Sequence, residues 1–128
     1  MTPQMPSPAD AMARHFHLED FRSAASIELS LSPPWRSGIC FLPDCGHVFV
    51  PGRPWQIYCS AACERAGTAE MRKWGHRMAF AALVWRMGKY EQRDDGIRDL
   101  TRAARRYLTN VQSAWLADRQ QRAADRGM

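Results

Sequence analysis

Residues 38–65 read GICFLPDCGHVFVPGRPWQIYCSAACER, and all four cysteines of the chain, Cys40, Cys45, Cys59 and Cys63, fall inside this stretch. The spacing is C-x4-C, thirteen residues, then C-x3-C. Each close pair can supply two thiolates from one tight turn. The segment between the pairs is long enough to fold back and bring the turns together, as a single tetrahedral Zn2+ requires. The competing use of four cysteines is two disulfides, which need an oxidising compartment and usually an export signal. Residues 1–10 hold three prolines, no basic cluster and no apolar run, unlike a secretory leader. The longest apolar stretch, Met78 to Trp85, is eight residues, against about 18 for a membrane span. The expectation is a cytoplasmic protein with reduced thiols and one structural zinc held by Cys40, Cys45, Cys59 and Cys63.

The residues around the cysteines suit that use. Gly46 follows Cys45, where a turn that aims backbone N–H groups at sulfur gains from the lack of a side chain. Pro51-Gly52 divides Val48-Phe49-Val50 from Trp55, Ile57 and Tyr58, which predicts a short β-hairpin between the pairs. Ser60 is placed to cap a helix starting at Ala61, with Cys63 in its first turn. There the free N–H groups and the positive end of the helix dipole favour a thiolate.

The order knuckle, hairpin, helix resembles a bacterial treble-clef zinc finger. The matching positions are Cys40, Cys45-Gly46, Phe49, Pro51, Tyr58-Cys59-Ser60, Cys63 and Arg65. The stretch is similar to the CGNR zinc finger, a suspected DNA-binding module of bacterial regulators, in the four-residue first spacing and the aromatic-Cys-Ser second knuckle. Cys63-Glu64-Arg65-Ala66 stands here where that family reads Cys-Gly-Asn-Arg. The resemblance spans residues 38 to 66 and implies a zinc-organised fold. Such fingers occur on proteins that bind DNA, RNA or other proteins.

A chain of 128 residues is one small domain with tails, in the size range where a metal commonly replaces missing hydrophobic burial. The basic residues are sixteen arginines and two lysines, Lys73 and Lys89. Residues 1–63 carry four basic and five acidic groups, and residues 64–128 carry fourteen and eight, so the positive potential belongs to the second half. Four thiolates on one divalent ion bring a formal −2, which lowers the +5 of the chain to about +3.

Residues 1–37 read as an arm, partly disordered. Ser7-Pro8 is a helix start for a short helix bearing Met12, Phe16 and Phe21, and Pro33-Pro34 stops any regular element. Ile27, Leu29 and Leu31 alternate with polar residues, which suits either one edge strand or a flexible lead. After the cysteines, Met71, Trp74, Met78, Ala81, Trp85 and Gly88 recur at helical spacing. Phe80, Leu83, Val84 and Met87 widen that face until the helix is apolar nearly all round. Gly67 marks a kink or a fresh start at Thr68. Asp94-Asp95-Gly96 starts a second helix running to about Asp125, with Ile97, Leu100, Ala104, Tyr107, Leu108, Val111, Ala114 and Trp115 on its inner stripe. The stripe fades into Arg119, Gln120, Gln121 and Arg122, as in a solvated, fraying end.

The expected fold is therefore α+β and mainly α. An arm at 1–37 precedes a small treble-clef zinc finger (knuckle, β-hairpin, helix) at 38–67, and an antiparallel helical hairpin follows at 68–128. Arg53, Arg65, Arg72, Lys73 and Arg77 are the candidates for nucleic-acid phosphates, the last four because the helix leaving the second knuckle is the natural element to meet a duplex. The alternative is an assembly factor in which zinc only holds the fold and the apolar face from Met71 to Met87 meets a protein partner or a second copy. Phe41, Phe49, Trp55 and Tyr58 are expected to form a mini-core around the metal. An enzyme is not expected: four thiolates close the shell, whereas catalytic zinc keeps an open position, and the chain has no phosphate-cradling glycine loop or paired histidine motif. No small-molecule substrate and no membrane partner is indicated.

Overall fold

The computed structural model describes residues 20–32 and 38–127. The helix expected from Ser7 through Met12 and Phe16, and the Pro33-Pro34 stop, lie outside them. The chain divides into two compact units, one of residues 38–50 with 57–128 and the other of residues 1–37 with 51–56.

In the smaller unit, α1 (Phe21–Ala24) and α2 (Ser26–Ser30) occupy the stretch in which an edge strand was one expectation. Local hydrogen bonds decide the outcome. The Asp20 carboxylate accepts from the Arg22 backbone N–H, and the Ser30 and Ser32 hydroxyls donate to the carbonyls of Ile27 and Glu28 at 2.7 and 2.9 Å. A strand needs a ladder partner, whereas these short-range bonds satisfy the backbone in place.

The larger unit is built on two long helices, α3 (Ala61–Gly88) and α4 (Asp95–Arg126). Ser60 is extended and accepts from the Cys63 N–H at 3.2 Å, and Asp94 accepts from the Ile97 N–H at 3.0 Å. Both caps stand where the sequence places them. α3 runs through Gly67 without a fresh start at Thr68. Gly67 is buried, and a Cβ there would lie 2.2 Å from the Tyr58 ring. The glycine admits a neighbouring aromatic and does not break the helix.

Three contacts fix the pairing of α3 with α4. Gly88 meets Thr101, Trp74 stacks on Trp115 with ring centroids 6.0 Å apart and planes 4° apart, and Glu70 bonds Arg119. One number falls as the other rises, so the helices are antiparallel. α4 continues as helix to Arg126, where the fading stripe suggests fraying. Its last arginines are held by the partners described below.

The single β pairing among the described residues is the antiparallel bridge between Ile39 and Val48. The expected hairpin, with 48–50 paired to 55–58, does not form. The Cys40 N–H donates to the His47 carbonyl and the Phe49 N–H to the Gly38 carbonyl, while the Phe41 N–H donates to the Ile57 carbonyl. The chain through Cys40 thus sits between the two arms and takes the hydrogen bonds they would have exchanged.

Cys40, Leu42 and Tyr58 are buried together, with Phe41, Phe49 and Ile57 packed against them. Trp55 is not among them and is 38% exposed. Among the described residues no large side chain is completely enclosed, which is little burial for helices of 28 and 32 residues. No described helix is long and apolar enough to cross a membrane.

Candidate metal centre

The first pair of cysteines is set by a turn in which the N–H groups of Cys45 and Gly46 both donate to the Leu42 carbonyl, at 3.0 and 3.2 Å. Gly46 has φ +65°, a left-handed conformation that side-chain-bearing residues rarely adopt. The second pair is set by the start of α3: Cys59 precedes the capping Ser60, and Cys63 lies in the first turn.

These elements bring one ligand atom from each of Cys40, Cys45, Cys59 and Cys63 within 4.8 Å of one another. All four are free thiols. Cys45 Sγ lies 3.6 Å from Cys59 Sγ, and Cys59 Sγ lies 3.7 Å from Cys63 Sγ. Metal–sulfur bonds of about 2.3 Å in a regular tetrahedron place sulfurs about 3.8 Å apart, so the separations match the edges of one coordination shell. A disulfide would need about 2.05 Å. The four cysteines can therefore hold a metal ion together.

The protein also stabilises charge on sulfur. The Cys59 N–H donates to Cys40 Sγ at 3.4 Å. The Ser60 hydroxyl, with smaller help from neighbouring sulfurs, holds the Cys63 thiol below its ordinary value against the cost of burial. The Cys59 thiol is pushed up to about 12, first by the adjacent Cys45 sulfur and then by burial. Without a metal, four crowded sulfurs cannot all ionise, and a divalent cation removes that conflict. His47 is exposed, and its place beside Cys45 leads to no ligand role.

The centre is tied to the far end of α4. Arg119 donates to the Phe41 carbonyl, and its guanidinium lies 4.0 Å from the Phe41 ring centroid. Arg126 donates to the Pro43 carbonyl at 2.9 Å and passes where a Cβ on residue 46 would stand, 1.8 Å from its Nη1. Behind these contacts lies Glu70, with its side chain 5% exposed. It accepts from Trp115 Nε1 at 3.0 Å, Arg119 Nη1 at 2.6 Å and Arg122 Nη2 at 2.6 Å. Arg122 Nε is also 3.7 Å from Asp44 and 3.6 Å from Asp118. Arg119, Arg122 and Arg126 continue the spacing of Ala104, Leu108, Val111 and Trp115, and Glu70 lies four residues before Trp74. An apolar count of the stripe misses them; a helical wheel carrying charge on the inner face would have found them.

The candidate nucleic-acid residues divide. Arg65, Arg72, Lys73 and Arg77 are exposed on α3. Lys73 and Arg77 lean over Trp74, at 5.6 and 4.9 Å from the ring centroid. Among the described residues none of the four makes a salt bridge; on α4, Arg98, Arg102, Arg119 and Arg122 are paired, while the exposed Arg105 and Arg106 are not. Arg53 belongs to the other unit, with its guanidinium 5.9 Å from the Trp55 ring centroid. No family model, curated protein or solved structure matches this chain.

Proposed function

We propose that this chain is a non-catalytic zinc protein that binds nucleic acid through the first half of α3. Zinc is favoured over other ions because four thiolates in a closed tetrahedral set are its characteristic structural site. The reading as a treble-clef finger similar to the CGNR type rests on the two knuckles, the second at a helix start, and on the Tyr58-Cys59-Ser60 string. Four protein ligands leave no position for substrate or water, so the ion's contribution is to the fold.

The observation that carries the nucleic-acid reading is the run of exposed cations on the helix that leaves the metal centre. α3 leaves the metal centre bearing Arg65, Arg72, Lys73 and Arg77, all exposed and, among the described residues, in no salt bridge. Unpaired cations on a helix anchored at its first turn suit a row of phosphates, and stacking over Trp74 pre-orients two of them. Duplex binding measured across a salt series tests this. Affinity should fall steeply with salt, and the triple variant Arg72→Ala/Lys73→Ala/Arg77→Ala should lose about 2–3 units of the log–log slope. Binding that is absent, or insensitive to salt, would end the reading.

A further inference from the structure

The second half of α3 carries a different surface. Phe80, Leu83 and Met87 are 77%, 56% and 78% exposed, and across the turn Leu100 and Tyr107 on α4 are 57% and 48% exposed. At 100° per residue, Phe80, Leu83 and Met87 lie on the side of α3 opposite Trp74. Phe80 and Met87 lean to the same flank of the hairpin as Leu100 and Tyr107. Together they expose on the order of 600 Å² of mainly apolar surface, at the upper limit for a monomer and close to the roughly 800 Å² that each partner contributes to a standard interface.

We infer that this surface is the interface of a homodimer in which α3 packs antiparallel on α3 of a second copy about a two-fold axis near Leu83. Two observations select a second copy. The described residues supply only two long helices, and no large side chain among them is completely enclosed; pairing two hairpins gives the four-helix arrangement that buries such faces. The stripe is also self-complementary, since an axis between residues 83 and 84 sets Phe80 of one copy against Met87 of the other. Charge selects the direction. A parallel pair would bring Arg65, Arg72, Lys73 and Arg77 beside their own copies, whereas the antiparallel pair carries the basic segments to opposite ends. The inference does not depend on the nucleic-acid reading.

Sedimentation equilibrium of the zinc-loaded chain tests it. The wild type should show twice the 14.6 kDa chain mass, and Phe80→Glu/Leu83→Glu should return it to one chain mass with zinc content and helix signal unchanged. Leu116→Glu replaces another exposed leucine, 57% exposed on the opposite flank, and should leave the dimer intact. Spin labels on Arg72→Cys, attached while zinc protects the native thiols, should lie about 35 Å apart at 1.5 Å of rise per residue. A monomeric wild type, a dimer indifferent to Phe80→Glu/Leu83→Glu, dissociation by Leu116→Glu, or labels within about 15 Å, as the same geometry requires of a parallel pair, would each overturn it.

Discussion

Glu70→Gln is the sharpest test of how the metal centre is joined to the helices. The native carboxylate is 5% exposed and accepts three hydrogen bonds, two from arginines that reach it at 2.6 Å. Glutamine keeps the size and one acceptor oxygen but removes the charge and sets an NH2 against a guanidinium. Removing one partner from a buried ion pair costs about 3–5 kcal/mol. Arg122 is 26% exposed and has Asp44 and Asp118 within 4 Å, so its charge stays partly compensated. Most of the loss falls on Arg119, 15% exposed, whose other bond is to the Phe41 carbonyl. A destabilisation of about 2–3 kcal/mol follows, or roughly 10 °C in Tm for a domain of this size. Urea and thermal unfolding of the metal-loaded protein, followed by circular dichroism, would measure it, with exposed Glu64→Gln as a control expected within about 0.5 kcal/mol of wild type. If Glu70→Gln were equally silent, the α4 arginines would not be docked on the knuckle.

Gly67→Ala should destabilise by about 1–2 kcal/mol because the added methyl meets the Tyr58 ring, while Gly75→Ala, with nothing within 4 Å, should stabilise by about 0.5–1 kcal/mol; equal effects in unfolding experiments would discredit the Tyr58 contact. Zinc binding at neutral pH should release three to four protons, because thiols are ordinarily protonated there and must ionise to bind the metal, Cys59 most of all, being pushed up to about 12. Affinity should then fall as pH falls, by up to about tenfold per pH unit for each proton displaced; release of two or fewer, read by a weakly buffered indicator, would contradict a four-thiolate shell. Chelation of the ion should lower the unfolding midpoint and expose the α4 end to trypsin at Arg119 and Arg122, and unchanged cleavage would separate the knuckle from α4. If α3 pairs antiparallel, the basic segments stand about 35 Å apart, near one duplex turn. A duplex of roughly 20 base pairs should then bind more tightly than one of roughly 10, an advantage that Phe80→Glu/Leu83→Glu removes without abolishing salt dependence.

The parts of this fold that were legible in the sequence are those with a local cause. The cysteine spacing announces that the four sulfurs gather at one point, because ligand geometry tolerates few arrangements of paired cysteines. Ser60 and Asp94 announce the helix starts because a side-chain oxygen beside orphan N–H groups acts within one turn. What was not legible depends on partners distant in the chain. The β-hairpin fails because the strand through Cys40 takes hydrogen bonds from both arms, and nothing in 48–58 alone reveals that competitor. Gly67 reads as a breaker only while Tyr58 is unseen. The α4 end reads as solvated because arginine is ordinarily a surface residue, yet here it meets a buried carboxylate and the backbone carbonyls of a knuckle some 80 positions earlier.

The misreadings of Gly67 and of the α4 end meet on α3. Its first turn supplies a sulfur to the metal centre, its inner face carries Glu70 and Trp74 to α4, and its outer face divides into a basic half and an apolar half. A helix apolar nearly all round demands several partners. α4 covers one side of α3, leaving Phe80 and Met87 more than three-quarters exposed. Burial of those side chains would contribute roughly 1.5–3 kcal/mol each, comparable to the whole effect expected of Glu70→Gln. In the proposed dimer a second copy would cover these side chains, and a metal held by the four cysteines would fix the start of α3 so that both halves of its outer face are presented together.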